Sequence, residues 1–472
     1  MGKKSFTRNI LFALIAQVVS LLSSFAVQFF APKALDVTQY AYWQLFLFYV
    51  SYINISRIGI IDGMYLRLGG KERKDLDTSL IKSEYIIFMI LQFVFAIGFV
   101  CVAANLIKDE NRLFVILTCA ICMVVINSNN YFGFLFQAIN ETDLYSISEI
   151  IYNLTWFIAV FILCFFKFGS YKLIIYMYIL GQFLAATYLM RKAGFIFEGK
   201  LISFKNVIGD MYINAKCGIS LLIAMYASML ITGIARVVVD GKWGIEMFGY
   251  FSFAMSLTTF LLKFISQISM VLFPAIRKVS KTTQKTIFEE SNTVLTIILP
   301  MALLLLLPMK YFVNWWLPQY NSSMFYLSVL LPICVFDGKM QLLYSTFLKV
   351  INKQSFLLIV NIIAVTISFL ISIFGAYIVN DLNTIAWAML IAIATRSIIS
   401  GIAVSCWLGI KHSFKLQFTE IIVIFAFSIF NTFLDSKIAF VAYFSLYILY
   451  LVFNYKDVYR MRFFLKRMNR QK

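Results

Sequence analysis

IARVVVDGKWGIEMFGYFSFAMSLTTFLLKFISQISMVLFPAIRK, residues 234–278, decides how the chain is read. A hydrophobic helix closes at a polar turn, Asp240-Gly241-Lys242, and a second opens at Met247-Phe248-Gly249-Tyr250-Phe251. The second helix carries Lys263 deep in apolar sequence and stops at Phe273-Pro274 before a basic loop. The same design stands 208 residues earlier: Gln39-Tyr40-Ala41-Tyr42-Trp43 opens a helix that carries Arg57 and also ends at a basic loop. Two matched openings predict two matched halves. A second match, at an offset of 212, agrees within one helical turn: Ile139-Asn140 and Ile351-Asn352 each close a helix, and Glu149-Ile150-Ile151 and Asn361-Ile362-Ile363 lie in the next.

Composition places both halves in a membrane. Of 472 residues, 61% are hydrophobic and 13% charged, against roughly a quarter charged in soluble domains. About twenty apolar residues cross the hydrocarbon core as a helix. By that ruler the candidates are 10–31, 40–66, 84–106, 113–136, 147–166, 172–191, 214–239, 247–272, 291–312, 323–346, 355–378, 384–409, 417–434 and 438–455, fourteen in all. The net charge of +19 does not point to nucleic acid, because no soluble domain is left to hold a groove. Its distribution sets orientation instead. With the N-terminus in the cytoplasm, cytoplasmic segments collect 28 of the 41 Lys and Arg, and the outside loops only eight, a strong positive-inside bias. Both termini are then expected on the cytoplasmic side of the membrane.

The expected architecture is all-α and polytopic. An N-lobe of helices 1–6 fills residues 1–191, and an amphipathic basic linker fills 192–213. A C-lobe of helices 7–12 fills 214–410, and helices 13–14 with a basic tail fill 411–472. An even number of spans per lobe gives the copies one orientation, related about an axis along the membrane normal.

Catalysis has little to work with. His412 is the only histidine and sits in a turn beside Lys411. Cys119-x-x-Cys122 lies inside a span with no second pair nearby, so buried small hydrophobes are the better reading. Gly194 to Lys200 fits a phosphate loop, then fails at Leu201 and lacks a preceding strand. The short outside loops argue against a membrane polymerase. No enzyme activity, cofactor or metal is expected.

The charges within the helices are more informative, because Arg or Lys at mid-helix costs roughly 2.5–3.5 kcal/mol on insertion scales. Arg396, Lys263 and Arg57, with Lys339 in support, are the candidate contacts for an anionic passenger in a hydrated cavity. The competing reading is structural ion pairs, Arg57 with Asp62 and Lys339 with Asp337. Residues five or two apart share a helix face poorly, and Arg396 and Lys263 have no acidic neighbour in sequence. Asn127 and Asn130, in the run Asn127-Ser128-Asn129-Asn130, read equally as sugar-binding amides or as amides serving a kinked helix. Asp62, Glu149 and Asp337 are possible proton or sodium sites.

These features resemble the multidrug/oligosaccharidyl-lipid/polysaccharide exporter superfamily, and within it the Wzx-type O-antigen and capsule flippases. The carriers are Tyr40-Ala41-Tyr42-Trp43, Arg57-Ile58-Gly59-Ile60-Ile61-Asp62-Gly63, Val239-Asp240-Gly241 through Phe248-Gly249-Tyr250, Phe273-Pro274-Ala275-Ile276 and Asn352-Lys353. The resemblance implies a MATE-like fold of two six-helix lobes plus two C-terminal helices, working by alternating access. It also implies an undecaprenyl-pyrophosphate-linked oligosaccharide as passenger, with the polymerase and glycosyltransferases of the same pathway as possible partners. A lipid II-type flippase and a cation-coupled multidrug exporter are the alternatives. The exporter should carry acidic residues in its first lobe, where helix 1 offers only Gln17.

Overall fold

A computed structural model of the chain describes residues 3–166, 169–277, 280–410 and 414–470. His412 and Lys411 lie outside the described residues. The described residues form helices and no strands, and they divide into two compact units, Met1–Tyr226 and Ala227–Lys472.

The first unit contains α1 (Lys3–Ala34), α2 (Val37–Tyr52), α3 (Thr78–Leu106), α4 (Glu110–Ala138), α5 (Thr142–Phe165) and α6 (Tyr171–Lys192). Aspartates start three of them: the side chains of Asp36, Asp77 and Asp109 accept backbone N–H groups of the first turn, satisfying donors the helix itself leaves free. The span expected at 40–66 is bent. After α2 the chain makes a tight turn, Ile53–Arg57. Ile58 (φ 50°) and Gly59 (φ 77°) are then left-handed, and Ile60–Leu68 resumes at 61° to the first part. The bend is held by a close helix crossing. A Cβ on Gly63 would lie 1.8 Å from the carbonyl oxygen of Asn214, and one on Gly218 would lie 2.0 Å from that of Gly59. Gly59 and Gly63 form the small-residue spacing that lets membrane helices approach backbone to backbone.

Residues 204–277 are helical, with a break at Gly244 (φ 81°, ψ −176°). We label the parts α7 (204–243) and α8 (245–277); α7 belongs to the first unit as far as Tyr226. The break therefore comes after the polar turn at 240–242, and α8 continues past Pro274 to Arg277. Among the described residues, twelve helices are long and apolar enough to span a membrane, and the bent pair makes a thirteenth. One of the twelve is the 60-residue stretch Phe204–Lys263, about 90 Å long at 1.5 Å per residue against a core of about 30 Å. Divided at Gly244, it is long enough for two spans, and counting it so gives the expected fourteen.

The rest of the second unit contains α9 (Lys281–Ile298, extended by Leu299–Leu305 and Leu306–Trp316) and α10 (Ser323–Leu330, extended by Ile333–Lys339, Met340–Tyr344 and Ser345–Val350). It continues with α11 (Gln354–Phe374), α12 (Leu382–Trp407), α13 (Phe414–Phe433), α14 (Ser436–Phe453) and α15 (Tyr455–Arg470). Helix α9 tightens at Pro300, whose missing N–H leaves a carbonyl one turn back without a donor. Three tyrosines of α14 meet this region: the Oη atoms of Tyr443, Tyr447 and Tyr450 donate to the carbonyls of Pro300, Ile297 and Thr296 at 2.8, 2.9 and 3.1 Å. Helices α13 and α14 thus take part in the second unit's packing.

The two halves repeat a detail of backbone geometry. Asn140 (φ 63°) and Asn352 (φ 56°) both adopt the left-handed conformation. Glu141 N donates to Phe136 O at 2.8 Å and Lys353 N to Leu348 O at 2.7 Å, the same six-residue closure that ends helices at a left-handed residue. The stretch expected to be a linker, 192–213, is packed against the first unit. Ala193, Ile196, Val207 and Met211 are buried in one cluster with Ile60, Tyr131 and Phe136.

Candidate functional site

The intramembrane charges fall into distinct environments. In the first unit, Arg57 and Asp62 are both buried; Arg57 Nη2 donates to Asp62 Oδ1 at 3.0 Å and Nε lies 3.0 Å from Oδ2. The guanidinium carbon stands 5.2 Å from the Phe134 ring centre, within cation–π range. A continuous helix would hold residues five apart on different faces. The left-handed pair Ile58-Gly59 reverses that, which is why this ion pair forms.

In the second unit, Lys339 pairs with a carboxylate its sequence neighbourhood does not contain. Its Nζ lies 2.7 Å from Glu420 Oε2 on α13 and donates to Thr296 Oγ1 at 2.8 Å. Both charged side chains are sealed, at 3% and 1% exposure. Asp337 instead serves Arg396: Arg396 Nη2 donates to Asp337 Oδ1, Arg396 Nη1 to Ser228 Oγ at 2.5 Å, and Gln341 Nε2 to Asp337 Oδ2 at 2.8 Å. The expectation of an unpaired Arg396 is therefore corrected, as is the pairing of Lys339 with Asp337. Positions 337 and 339 leave a helix about 200° apart, so they reach different neighbouring helices. Lys263 differs from all three: its side chain is exposed, midway along α8.

The amide run on α4 faces inward on an unbroken helix. Asn127 is fully buried and donates to Gln92 Oε1 at 2.7 Å and to Ser56 Oγ at 3.0 Å. Ser128 meets Tyr85 Oη at 2.8 Å, and Asn129 donates to Gln182 Oε1 at 3.4 Å. Asn130, half-buried, donates to Asn54 Oδ1 at 2.9 Å. These amides tie α4 to the bent span, and Asn127 has no surface left for a sugar in this conformation. Glu149 is half-buried on α5. Cys119 and Cys122 are buried, as expected of small hydrophobes.

One cluster escaped the sequence reading. Buried Glu84 of α3 accepts from Asn214 Nδ2 at 2.9 Å, while Arg67 donates to Asn214 Oδ1 at 2.6 Å and to Asp210 Oδ1 at 2.8 Å. Its signal was an acidic residue heading the apolar run 84–106, with Asp210 and Asn214 four apart on the following helix.

Each unit thus buries an ion pair within its helices, Arg57 with Asp62 in the first and Lys339 with Glu420 in the second. The family described as "Polysaccharide biosynthesis protein" matches residues 6–280. The chain belongs to that family. Solved structures place this family member's fold among known transporters. It resembles the lipid II flippase MurJ in an inward closed conformation, with a TM-score of 0.64 and 15% identity over 95% of this chain and 99% of that one. It also resembles an inward-facing multidrug resistance MATE family transporter of the MOP superfamily, with a TM-score of 0.61 and 10% identity over 88% of this chain and 99% of that one. No curated protein matches the sequence. The polysaccharide biosynthesis family member is thus an all-α, multi-pass membrane protein with a transporter fold.

Proposed function

We propose that the chain is a flippase. Its passenger is an undecaprenyl-pyrophosphate-linked oligosaccharide repeat unit of O-antigen, capsule or exopolysaccharide type, moved across the bacterial plasma membrane by alternating access. Lys263 carries the reading. A lysine midway along an apolar helix costs roughly 2.5–3.5 kcal/mol on insertion scales, so its ammonium belongs beside water or an anion. A diphosphate-sugar head group cannot enter hydrocarbon unaided, because its charges and hydroxyls would lose their water. A hydrated path with a cation in it lowers that barrier and concentrates the anion.

The ion pairs take a second role in this reading. Asp62 and Asp337 keep 12% and 14% side-chain exposure, enough to exchange protons with a wet path. Protonation of either aspartate frees its arginine for the diphosphate, and release of the passenger returns the arginine to the carboxylate. Arg396 and Arg57 are then passenger contacts and the two aspartates proton sites, with Glu149 a further one. Lys339 is scaffold, and Asn130 is the amide most open to a sugar. Family membership favours a polysaccharide unit over lipid II or a drug, and no catalytic residue takes part.

The test is surface polysaccharide in cells that depend on this chain. Lys263→Ala should lower it about tenfold, the effect of losing roughly 1.4 kcal/mol of passenger binding, at unchanged protein level in the membrane. The double variant Arg396→Ala with Asp337→Ala, which leaves no unpaired buried charge, should do the same. The lipid-linked unit should accumulate on the cytoplasmic leaflet. Normal polysaccharide from both variants overturns the reading.

A further inference from the structure

The turn that closes α4 opens onto a cleft of about 530 Å³ in the first unit. Arg8, Arg73 and Lys192 line it together with Glu141 and Asp143, so cations outnumber carboxylates by three to two. We propose that this cleft is a binding site for a phosphate or diphosphate group, separate from the intramembrane charges.

The argument starts from which charges are already committed. Arg73 forks onto Glu141, with Nε 3.0 Å from Oε1 and Nη2 2.5 Å from Oε2, and its guanidinium carbon stands 4.4 Å from the Phe195 ring centre. Arg8 Nη2 donates to Asp143 Oδ2. Asn9 Nδ2 donates to Asn140 O at 2.8 Å, pinning α1 to the left-handed turn. Both carboxylates are thus taken up inside the wall. Lys192, exposed, has its ammonium 5.8 Å from the Tyr188 ring centre, and no carboxylate lies within 4.0 Å of it among the described residues. Each arginine keeps N–H donors that its carboxylate does not use, since a guanidinium has five. Spare guanidinium donors beside a lysine suit a multiply charged oxyanion. The volume falls in the range of about 300–1,000 Å³ typical of small-molecule sites, more than a lone phosphate fills. The phosphate could belong to a lipid head group or be free in solution.

The experiment uses the full-length protein in phosphatidylcholine nanodiscs, titrated with inorganic pyrophosphate by calorimetry. Lys192→Gln removes the third cation and leaves both ion pairs intact. Saturable binding is expected, weakened at least about tenfold by Lys192→Gln (a loss of roughly 1.4 kcal/mol), recovered in Lys192→Arg and weakened by added salt. Repeating the titration in phosphatidylglycerol nanodiscs separates the sources. Lys192-dependent competition assigns the site to a lipid phosphate, and unchanged affinity assigns it to a free one. Absence of pyrophosphate binding, or equal binding by Lys192→Gln, overturns the proposal. No transport step enters the measurement, so its failure leaves the flippase reading standing.

Discussion

An ammonium and a carboxylate sealed together in a protein core offset each other's loss of water only while both remain. Lys339 and Glu420 are such a pair, 2.7 Å apart, and Glu420 Oε1 has no hydrogen-bond partner among the described residues. Removing one partner of a buried pair typically costs about 3–5 kcal/mol, while replacing both by apolar groups is often neutral or stabilising. Glu420→Gln is therefore expected to lower the thermal midpoint of the detergent-purified protein sharply, and Lys339→Met with Glu420→Leu to restore it. A double variant as unstable as Glu420→Gln would show that the pair does more than cancel charge. Steric limits act at the same scale. Gly63→Ala would put a methyl group 1.8 Å from Asn214 O, inside the backbone of a neighbouring helix that cannot yield as a side chain would. The expected cost exceeds about 3 kcal/mol, seen as loss of monodisperse protein on size exclusion. Gly70→Ala is the control: a Cβ there meets nothing within 4 Å, although its φ of 89° still strains an alanine.

Helix α14 acts on α9 through three phenols. Their acceptors surround Pro300, so the ladder satisfies carbonyls that a regular helix would satisfy itself. Tyr447→Phe or Tyr450→Phe is expected to cost about 1–3 kcal/mol by leaving a buried carbonyl without a donor. In a Pro300→Ala background the restored N–H can serve Thr296 O or Ile297 O, and the cost of one of the two phenylalanines should shrink. Thermal midpoints of the four-variant cycle measure that coupling, and strict additivity would argue against it. The helices themselves were legible from the sequence, because a twenty-residue apolar run has one stable form in a bilayer. The matched helix ends at Asn140 and Asn352 were legible as well. Side-chain partners were legible in one case only: Arg57 with Asp62 stood among the readings, and the two meet because Ile58-Gly59 turns left-handed. Arg396 and Lys339 meet Asp337 and Glu420 across helix packing that spacing along the chain does not encode. Glu420 lies 81 residues from Lys339, on a helix that the two six-helix lobes left outside.

For the whole chain, the arrangement in the membrane turns on charge and on the number of crossings. Lys and Arg resist translocation, and 28 of the 41 fall on one side if the spans alternate from a cytoplasmic N-terminus. That sum depends on residues 204–277 crossing twice. If they crossed once, every segment after Gly244 would change sides, and the basic helix Tyr455–Arg470 would be exported against the bias. Reporter fusions read this directly. Alkaline phosphatase, active only outside, should be active when joined after residue 109 or residue 244 and inactive after residue 76 or residue 280. Green fluorescent protein, which matures only in the cytoplasm when exported unfolded, should fluoresce when joined after residue 470. Activity after both 244 and 280, or a dark fusion at 470, would mean that the break at Gly244 does not separate two spans, and the second lobe would have to be redrawn from that point.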